Sequence, residues 1–251
     1  ISITCYIPFM HDTVSSKQVD IHSLSILEEY AKLAEITLGN KELAKFVVFK
    51  QELLEWNKKL NLTGITDDRG IELKHFADSL SLLKLPQINS AKFIIDLGTG
   101  AGFPGIPLAI MLPNVHIILI ESVKKKVVFL EHIVKILELK NVTIRNARME
   151  SMRSGQLISE ADAKRTVIVA RAVSALGDLT IWTASFLEKG VTACFLKSKM
   201  AVEGELANMK TDTDVTYPEN LTYKTIDVPA YGFTELENRV FVLCNNDAIV
   251  S

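Results

Sequence analysis

Apolar residues recur near a 3.6-residue period three times before residue 90. This pattern predicts helices over residues 24–34, 43–56 and about 70–83. Gly39 and Asn40 separate the first two helices, and the third is expected to end before Pro86. We therefore expect an N-terminal helical segment over residues 21–90.

From residue 92 the period changes, and short apolar runs alternate with helical patterns. The apolar runs predict strands at residues 93–97, 116–121, 142–145, 166–170 and 191–197. The helical patterns follow them at residues 105–112, 123–138, 177–187 and 201–209. Two final runs, 221–228 and 239–244, have no good helix between them, which favours an antiparallel pair. The sequence thus predicts an α/β fold with a doubly wound, Rossmann-like sheet, mostly parallel with an antiparallel strand near one edge.

The chain length of 251 residues is best explained by one large α/β domain. We interpret residues 91–251 as one compact core and residues 1–20 as a flexible extension. The first ten residues are apolar but lack the basic region of a signal peptide. The chain begins with Ile1, and Met10 is an alternative start.

Composition narrows the classes of protein. Apolar residues make up 48% of the chain, and 28 basic residues face 30 acidic ones, for a net charge of −2. This balance argues against a protein that coats nucleic acid through bulk positive charge, although it allows a local basic patch. Three widely spaced cysteines and no long apolar stretch favour a cytoplasmic protein without a membrane span, a disulfide framework or a metal site.

The candidate cofactor site is the stretch Ile94-Ile-Asp-Leu-Gly-Thr-Gly-Ala-Gly-Phe-Pro-Gly105. Glycines at a strand-to-helix turn let the backbone approach a ligand where a Cβ atom would clash. The following helix points its N-terminal amides at the same place. A dinucleotide and S-adenosylmethionine both use such a turn, and a ligand-free glycine turn is the third possibility.

The position of the acidic residues favours S-adenosylmethionine. Asp96, at the strand end beside Gly98 and Gly100, would be a poor neighbour for a pyrophosphate and a good one for a cationic amino acid. Glu121 closes the second strand, where a carboxylate can accept both ribose hydroxyls. Because Glu121 suits NAD equally, the discrimination depends mainly on Asp96 and on the spacing of the glycines.

The methyl acceptor is less well defined by the residues. The fourth strand ends in Ala170-Arg-Ala-Val-Ser174, without the prolines of enzymes that methylate exocyclic amines. Cys194 lies inside a predicted strand and is interpreted as core rather than as the nucleophile that a pyrimidine carbon requires. Methylation of a guanine N7 needs no general base, and the sequence shows no obvious candidate for one, so the two agree. Candidate RNA-binding cations, led by Arg171 and Lys197, are Lys58, Lys59, Lys74, His75, Lys124, Lys125, Lys126, Arg148, Lys199 and Arg239; His75 and the three consecutive lysines also have structural or solvated interpretations.

Five stretches carry a resemblance to a known family. They are Trp56-Asn-Lys-Lys-Leu-Asn-Leu-Thr63, His75-Phe-Ala-Asp-Ser79, Asp96-Leu-Gly-Thr-Gly-Ala-Gly-Phe-Pro-Gly-Ile-Pro-Leu108, Lys125-Lys-Val-Val-Phe-Leu130 and Arg171-Ala-Val-Ser-Ala175. Over roughly residues 45–245 the chain resembles the RsmG family, also called glucose-inhibited division protein B, which methylates a guanine N7 in 16S ribosomal RNA.

The resemblance implies several site residues and a partner. Cofactor contacts are implied at Gly98, Phe103, Met149, Glu150 and Arg171. Lys197 and Arg239 match basic positions expected near the RNA or the transferred methyl group. Arg171 and Lys197 are therefore the candidate catalytic residues. The implied substrate is 16S rRNA within the small ribosomal subunit or its assembly precursor, acted on by a monomer.

Two departures from the family pattern affect the site. The strand before Arg171 reads Arg165-Thr-Val-Ile-Val-Ala170, where the family usually has Phe-Asp and a serine. Ser198 follows Lys197 in place of the usual glycine. Another methyl acceptor, a fold that binds without turnover, and a nucleotide-dependent oxidoreductase remain as alternatives.

Overall fold

Seven strands form a single sheet in the computed structural model, which describes residues 21–211, 217 and 220–246. The strands are β1 Phe93–Leu97, β2 His116–Glu121, β3 Val142–Asn146, β4 Thr166–Arg171, β5 Thr192–Ser198, β6 Leu221–Asp227 and β7 Arg239–Asn246. Their spatial order is β3-β2-β1-β4-β5-β7-β6. All pairings among β1 to β5 are parallel, and β7 runs antiparallel to both β5 and β6. The predicted fold class is confirmed, with the antiparallel strand one position in from the edge.

Helices cover both faces of the sheet because successive side chains of each strand point to opposite sides. Ile94 of β1 belongs to the core on the face packed against the N-terminal helices, whereas its neighbour Ile95 belongs to the core on the other face. The helices of the first face are Ser25–Leu33, Asn40–Leu60, Gly105–Met111 and Lys124–Ile136. The second face is covered by Leu176–Leu187 and by part of Lys199–Thr211. No helix within the described ranges is long and apolar enough to cross a bilayer.

The third N-terminal helix is a continuous run over residues 68–84, here called the mixed helix. It consists of an α-turn Asp68–Gly70, a π-helix Ile71–Ala77, an α-turn Asp78–Leu80 and a 3₁₀ turn Ser81–Lys84. Sequence periodicity predicted the run but not its π-helical centre, a geometry that often occurs at functional sites. A short helix, Pro86–Asn89, follows it and was not predicted.

A buried carboxylate anchors the N-terminal helices to the mixed helix. Glu72 Oε2 accepts the backbone N–H groups of Ile26 and Leu27 at 3.0 and 3.1 Å. Glu72 Oε1 accepts Lys50 Nζ at 3.2 Å. The predicted segment 21–90 therefore shares one apolar core with the sheet, while the predicted extension 1–20 lies outside the described residues.

Cysteine placement agrees with the core interpretation. Cys194 and Cys244 are buried free thiols in β5 and β7.

The segment between β3 and β4, for which no element was predicted, contains three 3₁₀ turns: Met149–Ser151, Ser154–Gln156 and Glu160–Arg165. The short turns place residues 149 and 150 directly after the carboxyl end of β3.

Candidate cofactor site and adjoining cavity

The glycine loop follows β1 and takes backbone conformations that favour glycine. Gly98, Gly100 and Gly102 have φ values of 64°, 61° and 96°, in the left-handed region that side-chain-bearing residues rarely adopt. A Cβ atom at Gly100 would meet nothing closer than 3.9 Å, whereas one at Gly98 would lie 3.0 Å from both methyl groups of Val173. The space over Gly100 is thus open to a ligand.

Asp96 is fully buried beneath this loop. Its Oδ2 accepts Thr99 Oγ1 at 2.5 Å and the Gly105 amide at 2.8 Å, so the carboxyl group fixes both ends of the turn. Its Oδ1 is buried without a hydrogen-bond partner among the described residues. Burial raises the pKa of Asp96 to about 7, and the carboxylate of Glu121 contributes to the rise. An orphaned buried oxygen beside an open glycine turn is what a cationic amino-acid group of a ligand would satisfy.

Glu121 is tied to the same loop from the end of β2. Its Oε2 accepts the Gly100 amide at 2.9 Å, and its Oε1 accepts the Val123 amide at 2.7 Å. A carboxylate offers about four lone-pair sites, so each oxygen retains acceptor capacity for a ribose hydroxyl. The residues present therefore fit S-adenosylmethionine.

Met149, in the turn after β3, approaches the glycine loop. Met149 is half-buried, and its Cε lies 3.5 Å from where a Cβ atom at Gly98 would stand. Glu150 is exposed. The structure thus places Met149 against the glycine loop. For Glu150, the cofactor contact stays a prediction.

Phe103 lies in an aromatic cluster between the glycine loop and the mixed helix. Its ring stacks on His75, with ring centres 4.4 Å apart and planes at 10°, and on Phe49 at 5.1 Å. The guanidinium of Arg171 stands 5.2 Å from its centre. The side chain is buried by these neighbours, so the cofactor contact implied for Phe103 stays a prediction.

Arg171, at the end of β4, is held by the mixed helix. Its Nη1 donates to the Lys74 carbonyl and to Asp78 Oδ2, the latter at 3.3 Å, and its Nη2 lies 3.1 Å from His75 Nδ1. Burial lowers the pKa of Arg171, while the carboxylate of Asp78 opposes that effect. Arg171 is therefore a fixed cation rather than a mobile side chain.

Asp78 is the central member of this network and was not singled out as a site residue from the sequence. It accepts Arg239 in a two-bond contact, Nε to Oδ1 at 2.9 Å and Nη2 to Oδ2 at 3.0 Å, in addition to Arg171. One buried carboxylate thus holds two arginines whose side chains are 12% and 20% exposed. Its position in the sequence could have revealed it. Residues 71, 75 and 78 share the face of the predicted helix that is expected to be buried, and a buried acidic residue requires a partner.

His75 is neutral and its tautomer is determined by its neighbours. Because Arg171 can only donate, Nδ1 must accept, which leaves the proton on Nε2 for the bond to Thr63 Oγ1 at 2.8 Å. Burial, reinforced by Arg171, lowers the pKa of His75 to about 3. The structural interpretation of His75 is the better one, since both ring nitrogens are engaged.

Lys197 lies at the carboxyl end of β5 and is held by two protein groups. Its Nζ donates to the Ser174 carbonyl at 2.7 Å and pairs with Glu205 at 2.7 Å, and its side chain is 11% exposed. Glu205 also accepts the Leu176 amide at 2.8 Å, so Lys197 joins the loop after β4 to the helix Lys199–Thr211. Its predicted catalytic role stays a prediction.

The remaining candidate cations divide by location. Lys126 comes nearest to the glycine loop, with Nζ 4.0 Å from where a Cβ atom at Gly100 would stand. Lys199 pairs with Asp227 at 3.0 Å on the surface. The other exposed members of the set are Lys58, Lys59, Lys74, Lys124, Lys125 and Arg148.

A cavity of about 300 Å³ adjoins the site on the mixed-helix side. Three cationic side chains face two anionic ones in its lining, which consists of Ile65, Lys74, His75, Asp78, Arg171, Ala172, Glu235, Leu236 and Arg239. Ala172 has a φ of 52°, a left-handed conformation that is strained for a residue with a Cβ atom. Lys197 is not part of this lining, although it follows Leu196, which pairs with Arg171 on the neighbouring strand.

The doubly wound sheet, the open glycine turn and the two carboxylates bound to it define an S-adenosylmethionine-dependent methyltransferase. Sequence comparison then identifies the family. The model of the GidB family, rRNA small subunit methyltransferase G, matches residues 42–230, and the chain belongs to that family.

Curated relatives agree with this assignment, and a solved structure shares the fold. The chain is 38% identical over 208 residues to the ribosomal RNA small subunit methyltransferase G of Desulfitobacterium hafniense, covering 83% of this chain and 82% of the relative. It is 33% identical to that of Acetivibrio thermocellus, covering 92% and 90%. The O-methyltransferase TomG of Streptomyces achromogenes, solved in complex with SAM, shares the fold with a TM-score of 0.55 at 13% identity, covering 88% of this chain and 96% of TomG.

Proposed function

We propose that this protein transfers the methyl group of S-adenosylmethionine to N7 of a guanine in 16S ribosomal RNA. The observation that carries the chemistry is the glycine loop, with its open face over Gly100 and the orphaned Oδ1 of Asp96. Family membership supports small-subunit ribosomal RNA as the substrate, because the relatives are named as ribosomal RNA small subunit methyltransferases.

The cofactor would be held by groups around the loop. The backbone of Gly98 and Gly100 admits the ligand closely, and Asp96 Oδ1 is available to its α-amino group. Glu121 accepts the ribose hydroxyls, and Met149 and Glu150 flank the adenine. When bound, the cofactor supplies an electrophilic methyl group on a sulfonium.

Transfer to N7 requires no proton acceptor. The N7 lone pair forms a bond to the methyl carbon as the sulfur–carbon bond breaks, so the guanine gains the positive charge that the sulfonium loses. The neutral His75, whose ring nitrogens are both engaged, agrees with a reaction without a general base. Positioning and electrostatics then supply the rate enhancement.

Arg171 and Lys197 have different proposed roles. Arg171 lies between the glycine loop and the cavity, where it positions the acceptor next to the cofactor. Lys197 holds the loop after β4 through Ser174, and through that loop it acts on Arg171. We further propose that the enzyme is a cytoplasmic monomer that acts on the small subunit or its assembly precursor.

Methyl transfer to defined RNA tests the proposal. Purified protein is incubated with labelled S-adenosylmethionine and 30S subunits from cells that lack the corresponding gene. We expect label in 16S rRNA at a guanine that becomes sensitive to aniline cleavage after borohydride reduction, which is specific to N7 methylation. Label in ribosomal protein or at another atom would favour a different acceptor, and cofactor binding by calorimetry without any label would favour a binding protein.

A further inference from the structure

The cavity beside Arg171 adjoins the cofactor loop through one aromatic ring. His75 and Arg171 both line the cavity and both contact Phe103 of the loop, at 4.4 and 5.2 Å between centres. Arg171 ends the parallel strand β4, and Arg239 begins the antiparallel strand β7, so both lie at the sheet edge where the glycine loop emerges. A group held in this cavity would therefore lie close to a bound cofactor.

The size and lining of the cavity suit one aromatic base. Its volume of about 300 Å³ is at the lower end of the range for small-molecule sites, too small for a base-paired helix. Ile65, Ala172 and Leu236 provide apolar wall, and Arg171 and Arg239 add guanidinium groups, which commonly stack on unstacked bases.

The polar groups of the cavity favour guanine over adenine. Arg239 uses Nε and Nη2 on Asp78, and its Nη1 has no acceptor among the described residues. A guanidinium N–H is a donor that guanine O6 accepts, whereas adenine presents an amino donor at the same position. Lys74 is exposed at the rim, where an ammonium can meet the phosphate that precedes or follows the base.

We propose that this cavity is the acceptor subsite, which takes a single guanine base extruded from the RNA stack, with Asp78 as the residue that positions Arg171 and Arg239. This inference rests on the proposed function, because it supplies the place where N7 meets the cofactor. Extrusion into a pocket is the general solution for enzymes that modify a base within a stacked strand.

Blocking the cavity mouth tests the subsite. Ala172 is exposed and lines the mouth, so Ala172→Trp fills the cavity without touching the apolar core. We expect unchanged affinity for S-adenosylhomocysteine, within twofold, and a loss of at least 100-fold in transfer to 30S subunits. The control Ala161→Trp, at an exposed position on the 3₁₀ turn Glu160–Arg165, should preserve both. Equal transfer by the two variants, or loss of cofactor affinity in Ala172→Trp, would overturn the subsite.

Lys74→Ala gives a second measurement should the tryptophan variant fail to fold. Because Lys74 is exposed, its removal should raise KM for the RNA several-fold and leave kcat unchanged. An unchanged KM would contradict the assignment of Lys74 to the rim.

Photocrosslinking separates this inference from the proposed function. 16S rRNA transcribed with 6-thioguanosine is irradiated with the protein and S-adenosylhomocysteine, and crosslinked peptides are identified by mass spectrometry. We expect crosslinks to peptides that contain residues 65–78 or 235–239, reduced in Ala172→Trp and retained in Ala161→Trp. Methyl transfer with crosslinks only elsewhere would reject the subsite and keep the function, whereas these crosslinks without transfer would reject the function and keep the cavity as a guanine site.

Discussion

The glycine loop and the adjoining cavity are built in opposite ways. The loop is local: Asp96 bonds to Thr99 and Gly105, three and nine positions away, and Glu121 reaches back 21 positions to Gly100. The cavity is assembled from distant parts, because Asp78 pairs with Arg171 and Arg239 across 93 and 161 positions. Cofactor binding and acceptor binding thus depend on different parts of the fold and should fail separately.

The largest expected effect is on the cavity network. Asp78→Ala leaves two arginines of low exposure without their carboxylate, and breaking a buried pair this way costs about 3–5 kcal/mol. We expect the free energy of unfolding, measured with urea, to fall by that amount. Asp227→Ala is the control, because it removes a surface pair in which the Lys199 side chain is 54% exposed and the Asp227 side chain 71%. It should change the free energy of unfolding by less than about 1 kcal/mol. Similar losses in the two variants would contradict a central role for Asp78.

The next effect isolates the loop. Gly100→Val places a side chain in the open space over the turn, in a left-handed conformation that it adopts poorly. We expect cofactor affinity, measured by calorimetry, to fall by about 100-fold, or about 2.7 kcal/mol. Gly204→Val is the control, because nothing lies within 4 Å of its added Cβ atom and it belongs to the helix Lys199–Thr211. Retained affinity in Gly100→Val would remove the loop from the cofactor site.

A pH titration refines the role of Asp96 in the loop. Because burial raises its pKa to about 7, the cofactor-free protein holds a proton there that the unfolded chain releases near the ordinary value of about 3.9. The stability due to this proton is complete below the unfolded pKa and is lost as the pH rises through 7. A cationic α-amino group instead prefers the ionised carboxylate, so cofactor affinity should rise with pH.

The two opposite slopes are the test. Between pH 6 and pH 8 we expect affinity to increase about tenfold, while the melting temperature of the cofactor-free protein declines. In Asp96→Asn both contributions should disappear. A cofactor affinity in the wild type that is flat across this window would exclude Oδ1 as the partner of the α-amino group.

The smallest expected effect concerns the cavity wall. Ala172→Gly removes the steric cost of a left-handed alanine, with a φ of 52°, and should stabilise the protein by up to about 1 kcal/mol, or about 2–4 °C in Tm. Ala207→Gly, at an exposed position of the helix Lys199–Thr211, should destabilise by about 0.5–1 kcal/mol. The same substitution is thus expected to have opposite signs at the two positions, and a lower Tm for Ala172→Gly would show that the cavity wall is unstrained.

The contrast between local and distant contacts also explains what the sequence could predict. All seven strands were predicted within about two residues. The buried parallel strands β1, β2, β4 and β5 are continuous apolar runs that end at recognisable turns, whereas β3 and β6 are partly exposed runs of mixed polarity. The cofactor loop could be proposed from the sequence because its glycines and Asp96 are contiguous in the chain. The π-helix and the Asp78 network were missed, since neither has a local pattern and the arginine partners follow from sheet order.

Sequence also did not reveal which candidate cations are paired with protein groups. Lys197 and Arg171 were singled out as cations at strand ends, but both are engaged by protein groups. Their partners, Glu205 and Asp78, lie on helices, and hydrophobic periodicity does not show where those helices pack on the sheet.

The 161 positions between Asp78 and Arg239 have a consequence for biosynthesis. At about 5–20 residues per second, a ribosome takes about 8–32 s to add the strand that carries Arg239 after it has added Asp78. Once residue 121 has been added, the nascent chain contains the complete glycine loop and Glu121 but still lacks one wall of the cavity. We expect such a chain to gain its capacity for cofactor before its capacity for RNA, so it cannot modify the particles around it until its last described strand is in place.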